Sequence, residues 1–95
     1  MNGIELIQQE REKQITKHGY TPEHDSGYKH NELLVAALAY INAAIYGEHA
    51  GSEVWPFAVE YFHGGTNFVE DLTKAGAFIA AELDRLQLIN EENDK

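Results

Sequence analysis

The segment from residue 31 to residue 46 limits the possible folds more than any other, because it has helical periodicity and is apolar on almost every side. A helix that is apolar all round is normally surrounded by protein. In so short a chain, this predicts a central helix, or a helix that a second subunit buries. Asn31 is predicted to cap this helix at its beginning. The main apolar face of the helix is expected to contain Leu34, Ala37, Leu38, Ile41 and Ile45.

Two further helices are predicted on either side of this segment. Apolar residues at three- and four-residue steps indicate a first helix over about residues 3–18, which Gly19 ends. The same periodicity indicates a last helix over about residues 66–89, capped by Thr66. No stretch alternates apolar and polar residues as a strand does. We therefore predict an all-α fold with three main helices.

The two connections between these helices differ in composition. Residues 20–30 are polar and contain turn-forming Pro and Gly, so we expect a turn-rich loop there. Residues 47–65 form a long connection that is strongly aromatic around Trp55. We expect this connection to pack against the helices, with a short helical turn at residues 56–62. The whole is expected to complete a helical bundle within an oligomer.

Length and charge exclude several classes of protein. Ninety-five residues make one domain, which we place at residues 1–90, followed by a frayed acidic tail at 91–95. Sixteen acidic against seven basic residues give a net charge of -9, which repels the backbone of DNA or RNA. The chain has no cysteine, so disulfides, zinc–thiolate sites and thiol catalysis are excluded. The longest apolar run, residues 33–41, is too short to span a bilayer, and we expect a cytoplasmic protein without a membrane partner.

Three acidic residues lie at positions where a charge without a counter-ion or hydrogen-bond partner would be unfavourable. Asp71 and Glu82 fall on the small-residue face of the last helix, and Glu32 opens the apolar one. Acids in such places suggest a site for a hard cation, Mg²⁺ or Mn²⁺, and for a phosphate-bearing ligand. Asp71 and Glu82 are eleven residues apart, or roughly 16 Å along a helix axis, so they cannot both hold one ion.

The direction of the last helix decides which acid joins Glu32. If the last two helices are antiparallel, Glu82 comes level with Glu32. His24 and Asp25, in the loop that leads into Glu32, would then lie at the same end. Glu10 of the first helix could also reach that cluster.

If the last two helices are parallel, Asp71 takes the place of Glu82 beside Glu32. In either case Lys74 or Arg85 could balance the charge of the phosphates, and Trp55 could stack on a nucleobase. The ion would polarise a phosphoryl oxygen and activate an attacking water.

Structural interpretations of the same residues are also open. Glu82 and Arg85, three residues apart, could form a simple surface ion pair. Glu32 could complement the helix dipole, and His24 and Asp25 could shape a turn. The aromatic connection could belong to the core.

Five motifs occur in a characteristic order. They are Glu-Arg-x-x-Gln at 10–14, Gly-Tyr-Thr-x-Glu-His-Asp at 19–25, Glu-Leu at 32–33, Trp-Pro-Phe at 55–57 and Asp-Leu-x-Lys-Ala-Gly-Ala-x-Ile-x-Ala-Glu-x-Asp-Arg-Leu at 71–86. This order resembles a group of small phage- and prophage-encoded proteins described as dATP/dGTP pyrophosphohydrolase-like. The group is similar in general character to the all-α nucleoside triphosphate pyrophosphatases of the MazG type.

The resemblance implies Mg²⁺-dependent hydrolysis of a (deoxy)nucleoside triphosphate to the monophosphate and pyrophosphate, by a dimer or larger oligomer. The chain departs from the MazG-type pattern at Val35 and Arg85, where that pattern has a second acid on each helix. The alternative is a non-catalytic phage or prophage helical protein that binds a nucleotide or a host protein, and a purely structural oligomer is a third possibility. We expect Glu10, His24 and Lys74 as catalytic residues, Glu32, Glu82, Asp25 and Asp71 as metal ligands, and Lys74, Arg85 and Trp55 as substrate-binding residues.

Overall fold

A computed structural model of the chain describes residues 1–93. Every regular element within this range is helical, which confirms the all-α prediction. None of the described helices is both long and apolar enough to cross a membrane. In chain order the α-helices are α1 (Gly3–His18), α2 (Pro22–Asp25), α3 (Glu32–Tyr46), α4 (Glu48–Val54) and α5 (Phe68–Asn93), with a 3₁₀ turn at Val59–Tyr61 between the last two.

The boundaries differ from the predicted ones mainly in the connections and at the end of the chain. The short helices α2 and α4 lie in segments that we predicted as connections, and the turn expected at 56–62 is the shorter 3₁₀ turn. Helix α5 continues four residues beyond the predicted end at 89, so residues 91–93 of the predicted tail are helical. Residues 94–95 of that tail lie outside the described residues.

The helix caps agree with the sequence at α1 and differ at the other two main helices. Gly19 ends α1 in the left-handed conformation with φ of 71°, as a C-terminal glycine does. Asn31 does not cap α3 through its side chain, because its backbone is itself left-handed with φ of 63°. The N-cap of α5 is Asn67 and not Thr66, since the Asn67 side chain accepts a hydrogen bond from the Glu70 N–H at 3.1 Å.

Helices α3 and α5 form the centre of the fold and run in opposite directions. Tyr40, in the middle of α3, stacks on Phe78 in the middle of α5, with 6.0 Å between ring centroids. Arg85, near the end of α5, instead reaches the carbonyl of Tyr28, which precedes α3. Helices α3 and α5 are therefore antiparallel, and this brings Glu82 toward the beginning of α3. Helix α1 packs along α5, where Ile7 lies against Gly76 so closely that a Cβ there would be 2.6 Å from the Ile7 side chain.

The buried faces of α3 and α5 consist mostly of alanine, which corrects the predicted main face of α3. Leu34, Leu38 and Ile45 are 42%, 46% and 60% exposed. Small side chains face inward because they allow the helices to approach closely, and the larger aliphatic side chains remain outside. On α5 too, large aliphatic residues such as Leu83 are exposed while alanines such as Ala75 and Ala81 are buried. The residues buried in the core are Leu33, Ala36, Ala37, Ala39, Tyr40, Ala43, Phe62, Ala75, Phe78 and Ala81.

Candidate functional site

The acidic end of the α3–α5 pair is organised around a buried ion pair between Glu82 and Arg85. Arg85 donates from Nε to Oε1 of Glu82 at 2.6 Å and from Nη2 to Oε2 at 2.9 Å. Its Nη1 donates to the carbonyl of Tyr28 at 3.2 Å. The Glu82 and Arg85 side chains are only 7% and 14% exposed, so this is a buried pair and not the surface pair that the sequence left open. Both carboxylate oxygens already accept a strong charge-assisted hydrogen bond.

Two more acids influence the pKa of the same guanidinium. The pKa of Arg85 is raised first by its hydrogen bonds to Glu82, and the negative charges of Glu32 and Asp25 raise it further. Glu32 also accepts a hydrogen bond from the backbone N–H of His30, which closes the turn that precedes α3. Glu32 therefore has a structural role at the beginning of its helix.

Arg11 of α1 forms a second buried charge network, which the sequence analysis missed. Its Nε donates to Oδ2 of Asp84 at 3.1 Å, and its Nη1 donates to the carbonyl of Tyr20 at 2.7 Å and to Oε1 of Gln14 at 3.5 Å. Its Nη2 lies 3.9 Å from Oδ2 of Asp25, and within the described part of the chain neither of these two buried atoms has a hydrogen-bond partner. The available signal was an arginine on the apolar stripe of a helix, where a charge needs a buried counter-ion.

Asp25 is completely buried at the end of α2. Its Oδ1 lies 3.1 Å from Nδ1 of His24, a hydrogen bond whose donor depends on the histidine tautomer. Burial raises the pKa of the Asp25 carboxyl, while the hydrogen bond to His24 and the charge of Arg11 lower it. The contact between Asp25 and Arg11 joins the segment that follows α1 to α1 itself.

The acids that we predicted as metal ligands do not fit Mg²⁺ or Mn²⁺ as they are arranged here. Glu82 is held by Arg85, and Asp25 by His24 and Arg11. Asp71 lies farther along α5, where both of its carboxylate oxygens accept from the Gly65 N–H at 3.0–3.1 Å. Within residues 1–93, no three acidic or histidine side chains form a group that could hold a metal ion. A hard cation needs several free oxygen ligands, and these carboxylates are used in hydrogen bonds and ion pairs.

A cleft of about 120 Å³ lies between α1, α3, α5 and the aromatic connection. Lys74 reaches over the Tyr40 ring, with its Nζ 5.6 Å from the ring centroid. Three of the predicted site residues, Glu10, Lys74 and Trp55, meet here. The remaining lining residues are Gln14, His18, Tyr20, Tyr40, Tyr61, His63 and Phe78.

Packed aromatic rings form the floor of this cleft. The ring centroid of Tyr40 is 5.5 Å from that of Trp55 and 4.9 Å from that of Phe62, and Trp55 and Phe62 are 5.2 Å apart. The Trp55 Nε1–H donates to the Ala58 carbonyl at 3.0 Å, and the Tyr40 hydroxyl accepts from the His63 N–H at 3.3 Å. The indole and the phenol are thereby fixed in orientation, and burial raises the pKa of Tyr40.

The predicted site residues thus separate into two groups, of which the first lines the cleft and contains Glu10, Lys74 and Trp55. Glu10 lines the cleft and forms an ion pair with Lys13 at 3.6 Å, whereas we had considered it for the Glu32 cluster. The second group lies at the other end of α5 and contains His24, Asp25, Glu32, Glu82 and Arg85. Asp71 belongs to neither group, because it binds the loop at Gly65.

Comparison with known protein families, with curated protein sequences and with solved structures gave no match to this chain.

Proposed function

We propose that this protein binds a nucleotide, with the base in the cleft of Glu10, Lys74 and Trp55. The observation that carries the proposal is a lysine placed beside accessible aromatic rings in a chain whose net charge is -9. Aromatic side chains stack on any nucleobase, and an ammonium group pairs with phosphate. Trp55 is half-buried and Tyr61 is exposed, so both rings offer a face or an edge to a ligand.

The size of the cleft favours recognition of the base over enclosure of the whole ligand. Pockets that enclose a complete small molecule measure about 300–1,000 Å³, and this one is about 120 Å³. The sugar and phosphates would extend past Lys74 toward solvent or toward a neighbouring subunit. Affinity is then expected to depend on stacking and on the lysine.

Tryptophan fluorescence tests the proposal directly, because Trp55 is the only tryptophan in the chain. Titration with dATP, dGTP, dCTP and dTTP, without added metal, is expected to quench or shift this emission with saturation. Loss of a charge-assisted contact costs about 1.5–3 kcal/mol, so Lys74→Ala is expected to weaken binding by roughly 10- to 100-fold. Lys29→Ala, which removes an exposed lysine outside the cleft, is the matched control. Identical titrations for Lys74→Ala and the wild type would refute the assignment of the cleft.

A second candidate function is hydrolysis of a nucleoside triphosphate to the monophosphate and pyrophosphate. The order of residues from Asp71 to Leu86 favours it, through the resemblance described above. In this candidate function Glu10, which lines the same cleft as Lys74, would accept a proton from an attacking water. The test is release of pyrophosphate from the same four nucleotides with Mg²⁺. Release that Glu10→Gln abolishes supports the hydrolase, whereas saturable binding without release leaves a binding protein.

We also propose that the protein is a homo-oligomer, joined through the exposed aliphatic faces of α3 and α5. On α3, Leu34, Leu38 and Ile45 repeat at steps of four and seven residues. On α5 the exposed residues repeat in the same manner, so each helix presents one apolar stripe. Large aliphatic groups on two adjacent helices are typical of a surface that another subunit covers. The exposed stripe of α5 contains Leu72, Ile79, Leu83 and Leu86.

Sedimentation velocity measures this association. Leu38→Glu and Leu83→Glu each place a charge on a stripe and are expected to shift the protein toward the monomer. Ile4→Glu is the control, because Ile4 is equally large and 79% exposed but lies on α1. A wild-type protein that sediments as a monomer at every concentration would contradict the proposal.

A further inference from the structure

Gln14 is a polar residue of the cleft to which neither proposed activity assigns a role. It belongs to α1 and lines the cleft, yet the residue is only 3% exposed. An amide side chain has one accepting oxygen and two donating N–H groups, and buried polar groups are normally hydrogen-bonded. The partners of the two ends of this amide therefore indicate what it can do to a ligand in the cleft.

Arg11 fixes the orientation of the Gln14 amide. Nη1 of Arg11 donates to Oε1 of Gln14 at 3.5 Å, and because a guanidinium has no acceptor, the amide must turn its oxygen toward it. Arg11 is itself held, since its Nε donates to Asp84 at 3.1 Å and the same Nη1 donates to the Tyr20 carbonyl at 2.7 Å. Rotation of the amide by 180° would bring donors against donors, so the orientation is set.

The amide nitrogen of Gln14 remains as a donor toward the cleft. Within the described residues it has no hydrogen-bond partner, and it is not among the unpartnered side-chain atoms that are closed off from solvent, which are Nη2 of Arg11 and Oδ2 of Asp25. Because Gln14 borders the cleft and its oxygen faces Arg11, the N–H groups point away from Arg11 and are open to a ligand. The wall of the cleft thus presents a hydrogen-bond donor of fixed direction.

We propose that Gln14 determines which nucleobase the cleft prefers. Bases with an exocyclic carbonyl oxygen, such as guanine and thymine, are bound more tightly than adenine and cytosine, which carry an exocyclic amino group. The inference rests on the proposed binding of a nucleotide in this cleft.

The chemistry of the base edge supports this preference. Exocyclic groups project from the ring edge, so they meet the wall of the cleft before the ring nitrogens do. A carbonyl oxygen accepts from the Gln14 amide, whereas an amino group would place two donors against each other. Glutamine recognises adenine by using its oxygen and its nitrogen together, and here Arg11 occupies the oxygen.

Fluorescence titrations of Trp55 with the four deoxynucleoside triphosphates test the inference. Comparing dGTP with dATP, and dTTP with dCTP, keeps the ring size equal within each pair. In each pair the wild type is expected to bind the first nucleotide about 10-fold more tightly, because one hydrogen bond replaces an unpaired donor. Gln14→Glu keeps an oxygen for Arg11 and replaces the donor with an acceptor, so the preference should change to dATP and dCTP. Gln8→Glu makes the same change of charge at an exposed position of α1 outside the cleft and should keep the wild-type preference.

The outcomes separate this inference from the binding proposal. Saturable binding without the expected preference in the wild type would overturn the inference alone. The same holds if Gln14→Glu weakens all four nucleotides by one common factor, because Gln14 would then only support Arg11. No saturation with any of the four nucleotides would overturn the binding proposal and the inference together.

A change in the ligand tests the inference if Gln14→Glu does not fold. The deoxynucleoside triphosphate of 2-aminopurine keeps the purine ring and the 2-amino group of dGTP but lacks the carbonyl oxygen and the ring N–H beside it. Calorimetric titration of the wild type is expected to show binding about 10-fold weaker than that of dGTP. Gln14→Met, which removes the donor without adding a charge, should bind the two nucleotides with a smaller difference. Equal affinity of the wild type for both nucleotides would overturn the inference.

Discussion

The two halves of α5 use charge in opposite ways. In the C-terminal half, Glu82, Asp84 and Arg85 are engaged in ion pairs, Glu82 and Arg85 with each other and Asp84 with Arg11. In the N-terminal half, Lys74 has no carboxylate within ion-pair distance among the described residues, and its ammonium lies over the Tyr40 ring. One half therefore has its charges neutralised inside the protein, and the other presents a cation to the cleft.

This difference distinguishes charges that hold the fold from charges that can bind a ligand. A buried carboxylate satisfied by arginine stabilises the arrangement only while its partner remains, and it offers nothing to an incoming molecule. A lysine over an aromatic floor is partly desolvated and still able to pair with phosphate. The buried acids Asp25 and Glu82 lie in ion pairs, whereas the candidate binding site contains Lys74, whose ammonium lies over an aromatic ring.

Replacement of Arg11 by Met is expected to have the largest effect on the ion-paired half. It would leave Asp25 buried without its cation and remove the hydrogen bond to Asp84, so the free energy of unfolding should fall by about 3–5 kcal/mol. Urea denaturation measures this change. Lys13→Met is the matched control on the same helix, because Lys13 is half exposed in its pair with Glu10 and should contribute less than about 1 kcal/mol.

The substitution Lys74→Met applies the same urea denaturation experiment to the N-terminal half of α5. Because Lys74 makes no ion pair with any residue that the structure describes, its loss should change the free energy of unfolding far less than the loss of Arg11. Equal destabilisation by the two substitutions would remove the distinction between a structural and a ligand-directed charge.

Much of the fold could be predicted from the sequence, since the three long helices are set by apolar periodicity and by Gly19. The reversed faces of α3 could not, because periodicity places Leu38 and Ala37 on one broad stripe without showing which side chain the neighbouring helix meets. That α3 and α5 approach each other closely through their alanine faces can be recognised only when the position of α5 is known. The helices α2 and α4 are too short for a periodic signal.

The candidate site was predictable only in part. Lys74 and Trp55 could be named as ligand-binding residues, but their meeting with Glu10 depends on how α1 packs on α5. The partners of the acids could not be predicted either. Arg11 is separated from Asp84 by 73 positions in sequence, and no local pattern reveals such a pair.

Substitution of Gly51 by Ala tests the cleft half with an intermediate effect. A Cβ at Gly51 would lie 2.6 Å from the Ala39 carbonyl oxygen of α3 and 2.6 Å from Cζ of Phe62. Such overpacking costs about 1–3 kcal/mol, and a shift of Phe62 would change the surroundings of Trp55. We therefore expect lower stability in urea together with a displaced tryptophan emission maximum.

Gly3→Ala is the control for this substitution, because an added Cβ at Gly3 meets nothing within 4 Å. It should leave both stability and emission close to those of the wild type. If Gly51→Ala lowered stability without altering the emission, the connection would not be coupled to the floor of the cleft.

The smallest expected effect is a pH dependence at Asp25 in the ion-paired half. Burial raises the pKa of this carboxyl in the folded state, against the lowering effects of His24 and Arg11. A group with a raised folded pKa stabilises the protein fully below its unfolded pKa and loses that contribution as pH rises through the folded pKa. The stability of the wild type relative to Asp25→Asn should therefore fall as the pH rises above about 3.9, the ordinary pKa of an aspartate carboxyl, in urea denaturation series. His24→Ala removes the hydrogen bond that lowers the pKa of Asp25 in the folded state and should extend this fall to higher pH. A relative stability that rises over the same interval would show that Arg11 and His24 outweigh burial, and the network would then resemble the fully paired Arg85 site.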